Sequence, residues 1–267
     1  MISNINHVKK VLGDMHAKKK FGQNFLIDSN IVDKIAKSAC DNDCLTIEIG
    51  PGLGALTEML LKYSKAVDAY EIDEDMFNIL NETIDDERLH TYLQDFLDVD
   101  LDKYQNEKIR VCSNLPYYVT TPILFKLFES DLDISKITVM VQKEVADRFK
   151  AQIGSEDYNA LSIIVQYLYD VKYEMSVPKS VFYPSPKVDS AVISFTPKIE
   201  RNKEYETKLF TLIKNSFKMR RKTLHNNLKQ FLDDETINKI YKTLNFSETV
   251  RAQELSLQDY LNINELL

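Results

Sequence analysis

The fold class is indicated most clearly by residues 47-IEIGPGLGALTEMLL-61. A short apolar run ends in a glycine turn, and the residues after it have the apolar spacing of a helix. A strand, a glycine turn and a helix start bring backbone close to a bound nucleotide. The spacing Gly50-x-Gly52-x-x-Ala55 fits only the loosest dinucleotide-binding pattern, so both a nicotinamide enzyme and a purely structural turn are open interpretations.

Outward from this turn, short β-rich runs alternate with helical patterns, which predicts a doubly wound, mostly parallel sheet. Helices are expected near Ala55–Leu61, Pro122–Phe128 and Ala160–Tyr167. Seven strands, the last two close in sequence, indicate an α/β fold with an antiparallel edge hairpin. They are expected near Leu45–Ile49, Ala66–Glu71, Leu89–Leu93, Ile109–Cys112, Ile137–Gln142, Val171–Glu174 and Ala191–Phe195.

The pattern changes after Pro197. A charged, linker-like stretch follows, and apolar residues then recur at helical spacing, as at Leu209, Ile213 and Phe217. We therefore predict two domains, a ligand-binding α/β domain over residues 1–198 and a small all-helical domain over residues 199–267.

Composition limits the class of protein. No apolar run approaches the roughly 18 residues that a membrane helix needs, and the N-terminal residues lack the apolar core of a secretory signal. Three scattered cysteines, Cys40, Cys44 and Cys112, are typical of a reduced cytosolic protein and match no zinc spacing. We expect a cytoplasmic monomer with no metal site and no membrane partner.

Charge is unevenly distributed. The chain carries −7 overall, which argues against a nucleic-acid partner, yet residues 207–232 hold seven Lys or Arg residues and no acid. A second basic cluster is Lys18, Lys19 and Lys20. This asymmetry, rather than the net charge, indicates where a polyanion would bind.

Two acids follow predicted strands. Glu71 ends the second strand 21 residues after Gly50, where a carboxylate can accept hydrogen bonds from ribose hydroxyls. Asp95 follows the third strand and is placed either to meet an exocyclic amine or to cap a helix. Because ligands of open α/β sheets bind at the carboxyl ends of the strands, a ligand site there is favoured.

The segment 113-SNLPYY-118 ends the fourth strand. If the substrate is an adenine, the Asn114 side-chain oxygen and the Leu115 carbonyl can accept both N6 hydrogens and raise the lone-pair density on that nitrogen. Pro116 restricts Leu115 to extended conformations and so aims its carbonyl. Tyr117 can stack on the base. A sulfonium methyl group would then be attacked without a strong general base, by alignment and desolvation.

At this point the chain resembles a known family, the bacterial small-subunit (16S) ribosomal RNA adenine N6,N6-dimethyltransferases. The resemblance rests on eight segments in family order, over nearly the whole chain. They are FGQNFLID (21–28), EIGPGLGALT (48–57), EID (71–73), QDFL (94–97), SNLPYYVTTPI (113–123), VQKEVADR (141–148), FYPSPKVDSAV (182–192) and FKMRRKTL (217–224).

The resemblance implies a Rossmann-like class I methyltransferase domain with S-adenosylmethionine as cofactor. It implies that Asn24 and Leu26 close over the cofactor and that Gly50 abuts its methionine portion. It further implies that Glu71 holds the ribose, that Asp95 faces the cofactor adenine and that Asn114 joins the cofactor and target-base sites. Phe182 would cover the flipped adenine opposite Tyr117.

The implied substrate is a pair of adjacent adenosines near the 3′ end of 16S RNA, in the small ribosomal subunit or its precursor. Family members are usually basic, so this acidic chain is expected to depend on an assembled particle. Phosphate contacts are expected from a KMRRKTL helix, through Lys218, Arg220, Arg221 and Lys222, with Lys18–Lys20 helping.

Two alternatives within the same fold stay open at this point. One is a macrolide-resistance 23S RNA methyltransferase, a family that typically has isoleucine where this chain has Leu115. The other is a non-catalytic ribosome assembly factor.

Overall fold

The elements of the predicted α/β fold are present in a computed structural model of the chain, which describes residues 5–11, 24–116, 119–198 and 200–267. The strands are β1 Phe25–Leu26, β2 Leu45–Ile49, β3 Ala66–Glu71, β4 Leu89–Leu93, β5 Ile109–Asn114, β6 Ile134–Gln142, β7 Tyr169–Val177, β8 Phe182–Tyr183 and β9 Ser190–Pro197. The helices are α1 Ile5–Val11, α2 Ser29–Ala39, α3 Ala55–Tyr63, α4 Glu74–Thr83, α5 Thr120–Glu129, α6 Lys143–Arg148, α7 Ala160–Leu168, α8 Lys203–Ser216, α9 Leu224–Leu228, α10 Asp234–Leu244 and α11 Leu257–Asn264.

Seven strands form one sheet in the order β4-β3-β2-β5-β6-β9-β7. The first five pair in parallel, and β9 is antiparallel to β6. The predicted doubly wound, mostly parallel sheet is thus confirmed. The chain order reverses between β2 and β5, so the carboxyl ends of these two strands form the switch point at which open α/β sheets bind ligands.

The strand pattern follows from burial on both faces. In β2 every residue after Leu45 is buried, because helices cover both sides of the sheet. Continuous apolar runs of this kind are visible in sequence, and the bounds predicted for β2, β3 and β4 agree with those observed. The predicted strands at β5, β6, β7 and β9 are present and extend further than expected.

Helix α2, one of the helices that cover the sheet, shows how the local sequence starts a helix and buries one of its faces. The Asp28 carboxylate accepts hydrogen bonds from the backbone N–H groups of Asn30 and Ile31, at 2.9 and 3.2 Å, and so caps the helix. Val32, Ile35, Ala36 and Ala39 recur at helical spacing and are buried in the core.

A second, two-stranded sheet was missed by the strand prediction. β1 pairs antiparallel with β8, with Phe25 opposite Tyr183 and Leu26 opposite Phe182. β8 lies between the last two predicted strands, in a stretch where we predicted no strand. Each strand has only two residues, which is too short for a period-two pattern to be recognised.

The chain divides into two compact units, one comprising Met1–Ala146 and Lys172–Pro197 and the other Asp147–Val171 and Lys198–Leu267. The second unit contains the expected C-terminal helices, α8 to α11, and also takes in residues that the sequence pattern assigns to the first domain. The proposed boundary at residue 198 stays a prediction.

The prediction of a helix over the KMRRKTL segment is wrong. Residues 217–222 form a turn between α8 and α9, which we call the basic turn. Helical backbone conformation begins again only at Leu224, the first residue of α9.

The described residues were also compared with what membrane spans, metal sites and disulfides require. No helix in the described ranges is long and apolar enough to cross a membrane. Those ranges also hold no group of three His, Cys, Asp or Glu residues arranged for a metal ion. Cys40, Cys44 and Cys112 are free thiols.

Candidate active site

A cavity of about 240 Å³ lies at the carboxyl ends of β2, β3 and β5, at the switch point of the sheet. It brings together nine residues selected from the sequence. They are Asn24, Leu26, Gly50, Gly52, Glu71, Asp95, Asn114, Leu115 and Pro116. The acids and the Asn-Leu-Pro turn, far apart in sequence, therefore face one ligand-sized space.

The glycine turn needs its glycines for two reasons. Gly50 and Gly52 have φ angles of 69° and 55°, in the left-handed region that favours glycine. A Cβ atom on Gly52 would lie 3.1 Å from Cε1 of Phe25, whose ring covers the turn. A Cβ on Gly50 would lie 3.8 Å from Cδ of Pro116, so the glycine turn and the Asn-Leu-Pro turn are neighbours.

The Glu71 carboxylate is held by backbone. Its Oε2 accepts the Gly52 N–H at 3.0 Å, and its Oε1 accepts the N–H groups of Ile72 and Asp73 at 2.9 Å each. Burial raises the pKa of Glu71, and these backbone hydrogen bonds oppose that rise. A carboxylate has about four acceptor positions, so Glu71 keeps capacity for a ligand hydroxyl.

Asp95 is a cap and also a cavity residue. Its Oδ1 accepts the Leu97 N–H at 2.9 Å and caps the 3-10 turn Phe96–Asp98. Asp95 also lines the cavity. The cap fixes the side chain at the cavity edge, which leaves its other oxygen as the group available to a ligand.

Glu48 is a cavity residue that sequence reasoning missed. It is 1% exposed, and the Thr57 hydroxyl donates to its Oε2 at 2.6 Å. Burial raises the pKa of Glu48 to about 8, so this carboxyl group is mostly protonated at neutral pH. An acid in an otherwise apolar strand next to the glycine turn was the available signal.

The charge of the cavity favours a cationic ligand. Glu71 and Asp95 line it together with Glu48, which is mostly protonated at neutral pH until a cation favours its ionised form. The lining residues within the described part of the chain include no Lys, Arg or His. A dinucleotide would bring a pyrophosphate into this acidic space, whereas a sulfonium nucleoside such as S-adenosylmethionine brings a positive charge. The residues present therefore fit the latter.

The Asn-Leu-Pro turn continues the sheet and then leaves it. The Asn114 amide donates through Nδ2 to the Asn24 carbonyl at 3.2 Å, so its Oδ1 is the end left for other partners. Leu115 is 1% exposed and donates its N–H to the Met140 carbonyl at 3.2 Å. No described residue donates to the Leu115 carbonyl. Both oxygens chosen from the sequence are thus uncommitted within the described ranges.

Some predicted residues are not in the cavity. Phe182 is 3% exposed and packs in the apolar core with Leu26 and Val177, so stacking on a base would require it to move. Its proposed role stays a prediction. Tyr117 and Lys18–Lys20 lie outside the described residues. The side chains of Lys218, Arg220, Arg221 and Lys222 are exposed in the second unit.

Apolar cavity walls were also missed. They include Val8, Phe25, Tyr70, Ile72, Phe96 and Ile123. Ile72 and Phe96 directly follow the two acids selected from the sequence, which is a usable signal for the walls of a nucleoside site. Val8 carries no such signal, because α1 is far from the glycine turn in sequence.

Comparison with known proteins gives a consistent picture. Residues 15–267 match the family described as ribosomal RNA adenine dimethylase. The chain is 44% identical to the ribosomal RNA small subunit methyltransferase A of Mycoplasmopsis pulmonis, over 92% of this chain and 97% of that protein. It is 40% identical to the protein of the same description from Clostridioides difficile, over 100% of this chain and 96% of the relative.

Solved structures show the same fold. A dimethyladenosine transferase from Plasmodium falciparum superposes with a TM-score of 0.74 at 26% identity, covering 90% of this chain and 95% of that one. A 23S rRNA methyltransferase superposes with a TM-score of 0.66 at 22% identity, covering 91% and 99%. At that identity the second likeness shows the fold alone.

Proposed function

The chain belongs to the ribosomal RNA adenine dimethylase family, and we propose that it dimethylates the N6 amines of two adjacent adenosines near the 3′ end of 16S RNA. It is an S-adenosylmethionine-dependent methyltransferase, as the family is. One observation carries the assignment of the chemistry to particular residues: the glycine turn, the acids and the Asn-Leu-Pro turn line a single cavity at the switch point of the sheet.

The cofactor would be held by the residues of this cavity. Gly50 and Gly52 allow backbone to approach it closely, and Glu71 supplies an acceptor for the ribose hydroxyls. Asp95 would face the adenine amine, and Asn24 and Leu26 would close one side. The cofactor supplies a methyl group made electrophilic by a positively charged sulfur, and the acidic lining of the cavity favours that charge.

The target amine would be aligned by two oxygens. In the first transfer, the Oδ1 atom of Asn114 and the carbonyl of Leu115 would each accept one N6 hydrogen, which directs the nitrogen lone pair toward the methyl group. In the second transfer, one of these oxygens would accept the single hydrogen that remains. No strong base is required, because the proton leaves to water after transfer. Rate enhancement then comes from alignment and from excluding water.

The base itself would be held by aromatic stacking. Each stacked base contributes roughly 1–3 kcal/mol in single-stranded nucleic acid sites. Tyr117 follows the turn directly in sequence and is proposed to stack on the flipped adenine. For Phe182 to cover the opposite face, its ring would have to leave the core in which it is buried.

Binding of the RNA is proposed to use the basic turn. Lys218, Arg220, Arg221 and Lys222 project exposed cations from it, and no acid lies between residues 207 and 232. Lys18–Lys20 would add contacts. Action on an assembled small-subunit particle, a monomeric state and a cytoplasmic location belong to this proposal.

The two alternatives have less support. Relatives at 40–44% identity are described as small-subunit enzymes, whereas the likeness to the 23S methyltransferase extends to the fold only. A non-catalytic assembly factor would have no use for an uncommitted amide oxygen beside an acidic nucleoside cavity.

The test is transfer of labelled methyl groups to small-subunit particles that lack the modification. We expect label on adjacent adenosines near the 3′ end of 16S RNA. Asn114→Ala should lower turnover by about two orders of magnitude or more, as loss of a group that aligns the transition state does. Cofactor affinity should fall less. Asn78→Ala, at an exposed position of α4, is the matched control.

Label on 23S RNA would favour the resistance enzyme, and no transfer to any RNA would favour the assembly factor. Undiminished turnover of Asn114→Ala would remove the proposed alignment mechanism while leaving the family assignment untouched.

A further inference from the structure

The backbone of the basic turn is tied to one buried side chain. Asn227 lies in α9 and is 1% exposed. Its Oδ1 accepts the Met219 N–H at 2.8 Å, and its Nδ2 donates to the carbonyls of Met219 and Thr223 at 3.2 Å each. The amide thus uses its acceptor and one donor on Met219 of the turn, and its second donor on Thr223, the N-cap residue of α9. The bonds to Met219 replace those that a regular element would supply.

Other hydrogen bonds fix the turn around this point. The Lys222 N–H donates to the Met219 carbonyl at 2.9 Å, and the Lys218 N–H donates to the Asn215 carbonyl at 3.2 Å. The Arg220 guanidinium donates to the Glu156 carbonyl. Residues 217–222 are therefore irregular in conformation but held by hydrogen bonds along their length.

The cations on this turn lack acidic partners. In the described part of the chain, Lys218, Arg220, Arg221 and Lys222 form no ion pair, and their side chains are exposed. Two other exposed lysines of the unit do have acidic partners: Lys208 pairs with Glu204 and Lys229 with Asp234. Four like charges on a short turn repel one another, so a polyanion is the partner that this arrangement favours.

We propose that Asn227 is a positioning residue for RNA binding, because its buried amide preforms the basic turn so that its cations meet phosphates together. This inference rests on the proposed function, which assigns RNA to this surface. Preforming a loop lowers the ordering cost that is otherwise met at binding. Only an amide of this length supplies an acceptor and two donors; alanine supplies none, and aspartate would lose both donors.

The experiment measures binding of the full-length protein to unmodified small-subunit particles over a range of salt concentrations. Asn227→Ala should weaken binding about three- to tenfold and flatten the plot of log affinity against log salt, by about one unit for each phosphate that the turn no longer neutralises. Cofactor affinity and turnover at saturating particle should not change. A role confined to general stability would leave the salt slope unaltered.

Two further variants separate the possible failures. Asn226→Ala is the matched control, since Asn226 is exposed and its amide bonds only to the Thr223 hydroxyl at 3.0 Å within the described residues; it should bind as the native protein does. A triple variant, Arg220→Ser with Arg221→Ser and Lys222→Ser, tests RNA binding at this surface. If the triple variant binds particles with native affinity and native salt slope, RNA does not bind at this surface. That result would overturn the proposal.

A weakened triple variant combined with a native salt slope in Asn227→Ala would overturn the positioning role alone. Hydrogen exchange on the native protein decides the matter if Asn227→Ala does not fold. We expect slow exchange at the Met219 amide before RNA is added. Fast exchange there would show that the turn is not preformed.

Discussion

At the scale of single residues, Glu48 shows how burial sets the state of a cavity group. The side chain lies in a strand that is buried on both faces, and one hydrogen bond from Thr57 does not offset the loss of water. The pKa of Glu48 therefore rises from 4.5 to about 8. A cationic cofactor placed beside it would favour the ionised form and so release its proton.

Stability should fall with rising pH because of this group. The folded chain keeps a proton on Glu48 that the unfolded chain loses near pH 4.5, so its contribution is fully present below that pH and is lost as pH rises to about 8. Glu48→Gln, which is neutral throughout, should gain stability relative to the native protein over this window. Thermal melts between about pH 5 and pH 8.5 measure the difference, with exposed Glu82→Gln as control. If the stability of the native protein and of Glu48→Gln changed with pH in parallel, the predicted contribution of Glu48 would be wrong.

A second constraint on a single residue is at Gly52, where the fold leaves too little room for a side chain. Gly52→Ala puts a methyl group 3.1 Å from Phe25 and an L residue at a φ of 55°. We expect a loss of about 1–2 kcal/mol of stability from the left-handed backbone alone, together with weaker cofactor binding because the turn or Phe25 must shift.

Gly154→Ala isolates the backbone effect. Gly154 has a φ of 81°, and an added Cβ there would meet nothing within 4 Å. Thermal melts should show a loss of stability in both variants, at least as large for Gly52→Ala because of the added contact with Phe25, and calorimetry should show weaker cofactor binding for Gly52→Ala only. Equal cofactor affinities would mean that Phe25 yields without disturbing the cavity.

At the scale of elements, α1 contributes to the site although it precedes the matched family region, which begins at residue 15. Val8 is 1% exposed, packs with Phe25, Leu53 and Met76, and lines the cavity. Helix α1 thus covers part of the glycine turn through one buried side chain.

Val8→Asp should detach this helix, because burying an unpaired carboxylate costs several kcal/mol. We expect the cofactor to dissociate faster and its affinity to fall about tenfold or more, the change that a loss of ~1.4 kcal/mol produces. Stopped-flow measurement of cofactor release checks this. Lys10→Asp, at an exposed position of the same helix, should behave as the native protein does. Identical release rates for the two variants would mean that α1 does not retain the cofactor.

The basic turn is the element that the sequence pattern predicts wrongly. Phe217, Leu224, Leu228 and Phe231 suggest helical spacing across it, and the backbone nevertheless leaves the helix after Ser216. The Asn227 amide, from the following helix, bonds to the backbone N–H and carbonyl of Met219 and so satisfies groups that a continuous helix would otherwise pair.

At the scale of the whole molecule, the chain is acidic but its positive charge is concentrated in one segment. The net charge is −7, while residues 207–232 are entirely basic in their charged positions. Binding to naked RNA would depend on a few phosphate contacts and would be repelled elsewhere. The assembled particle that we propose as the substrate would add shape and ribosomal proteins to the recognised surface.

We therefore expect methyl transfer to an unmodified small-subunit particle to exceed transfer to naked 16S RNA by about tenfold or more near ~0.15 M salt, where few-contact electrostatic binding is weak. The difference should shrink at low salt. Initial rates with both substrates over a salt series provide the measurement, and equal rates at the higher salt would contradict the expected need for the particle.

The order of residues was enough to predict the sheet and the edge of the sheet at which the candidate site lies. Buried strands read as apolar runs, and parallel strands carry their functional residues at one end. Gly50, Glu71, Asp95 and Asn114 could therefore be assigned to one sheet edge from the order of residues alone. These are local regularities, which recur at short intervals along the chain.

Four features could not be predicted without the folded structure. They are the burial of Phe182, the cover of the cavity by Val8 and Phe25, the protonated state of Glu48 and the conformation of the basic turn. Each depends on interactions between residues that the chain order does not bring together, such as the packing of Val8 against Phe25. Local patterns do not encode such interactions, because close packing of the whole core selects them.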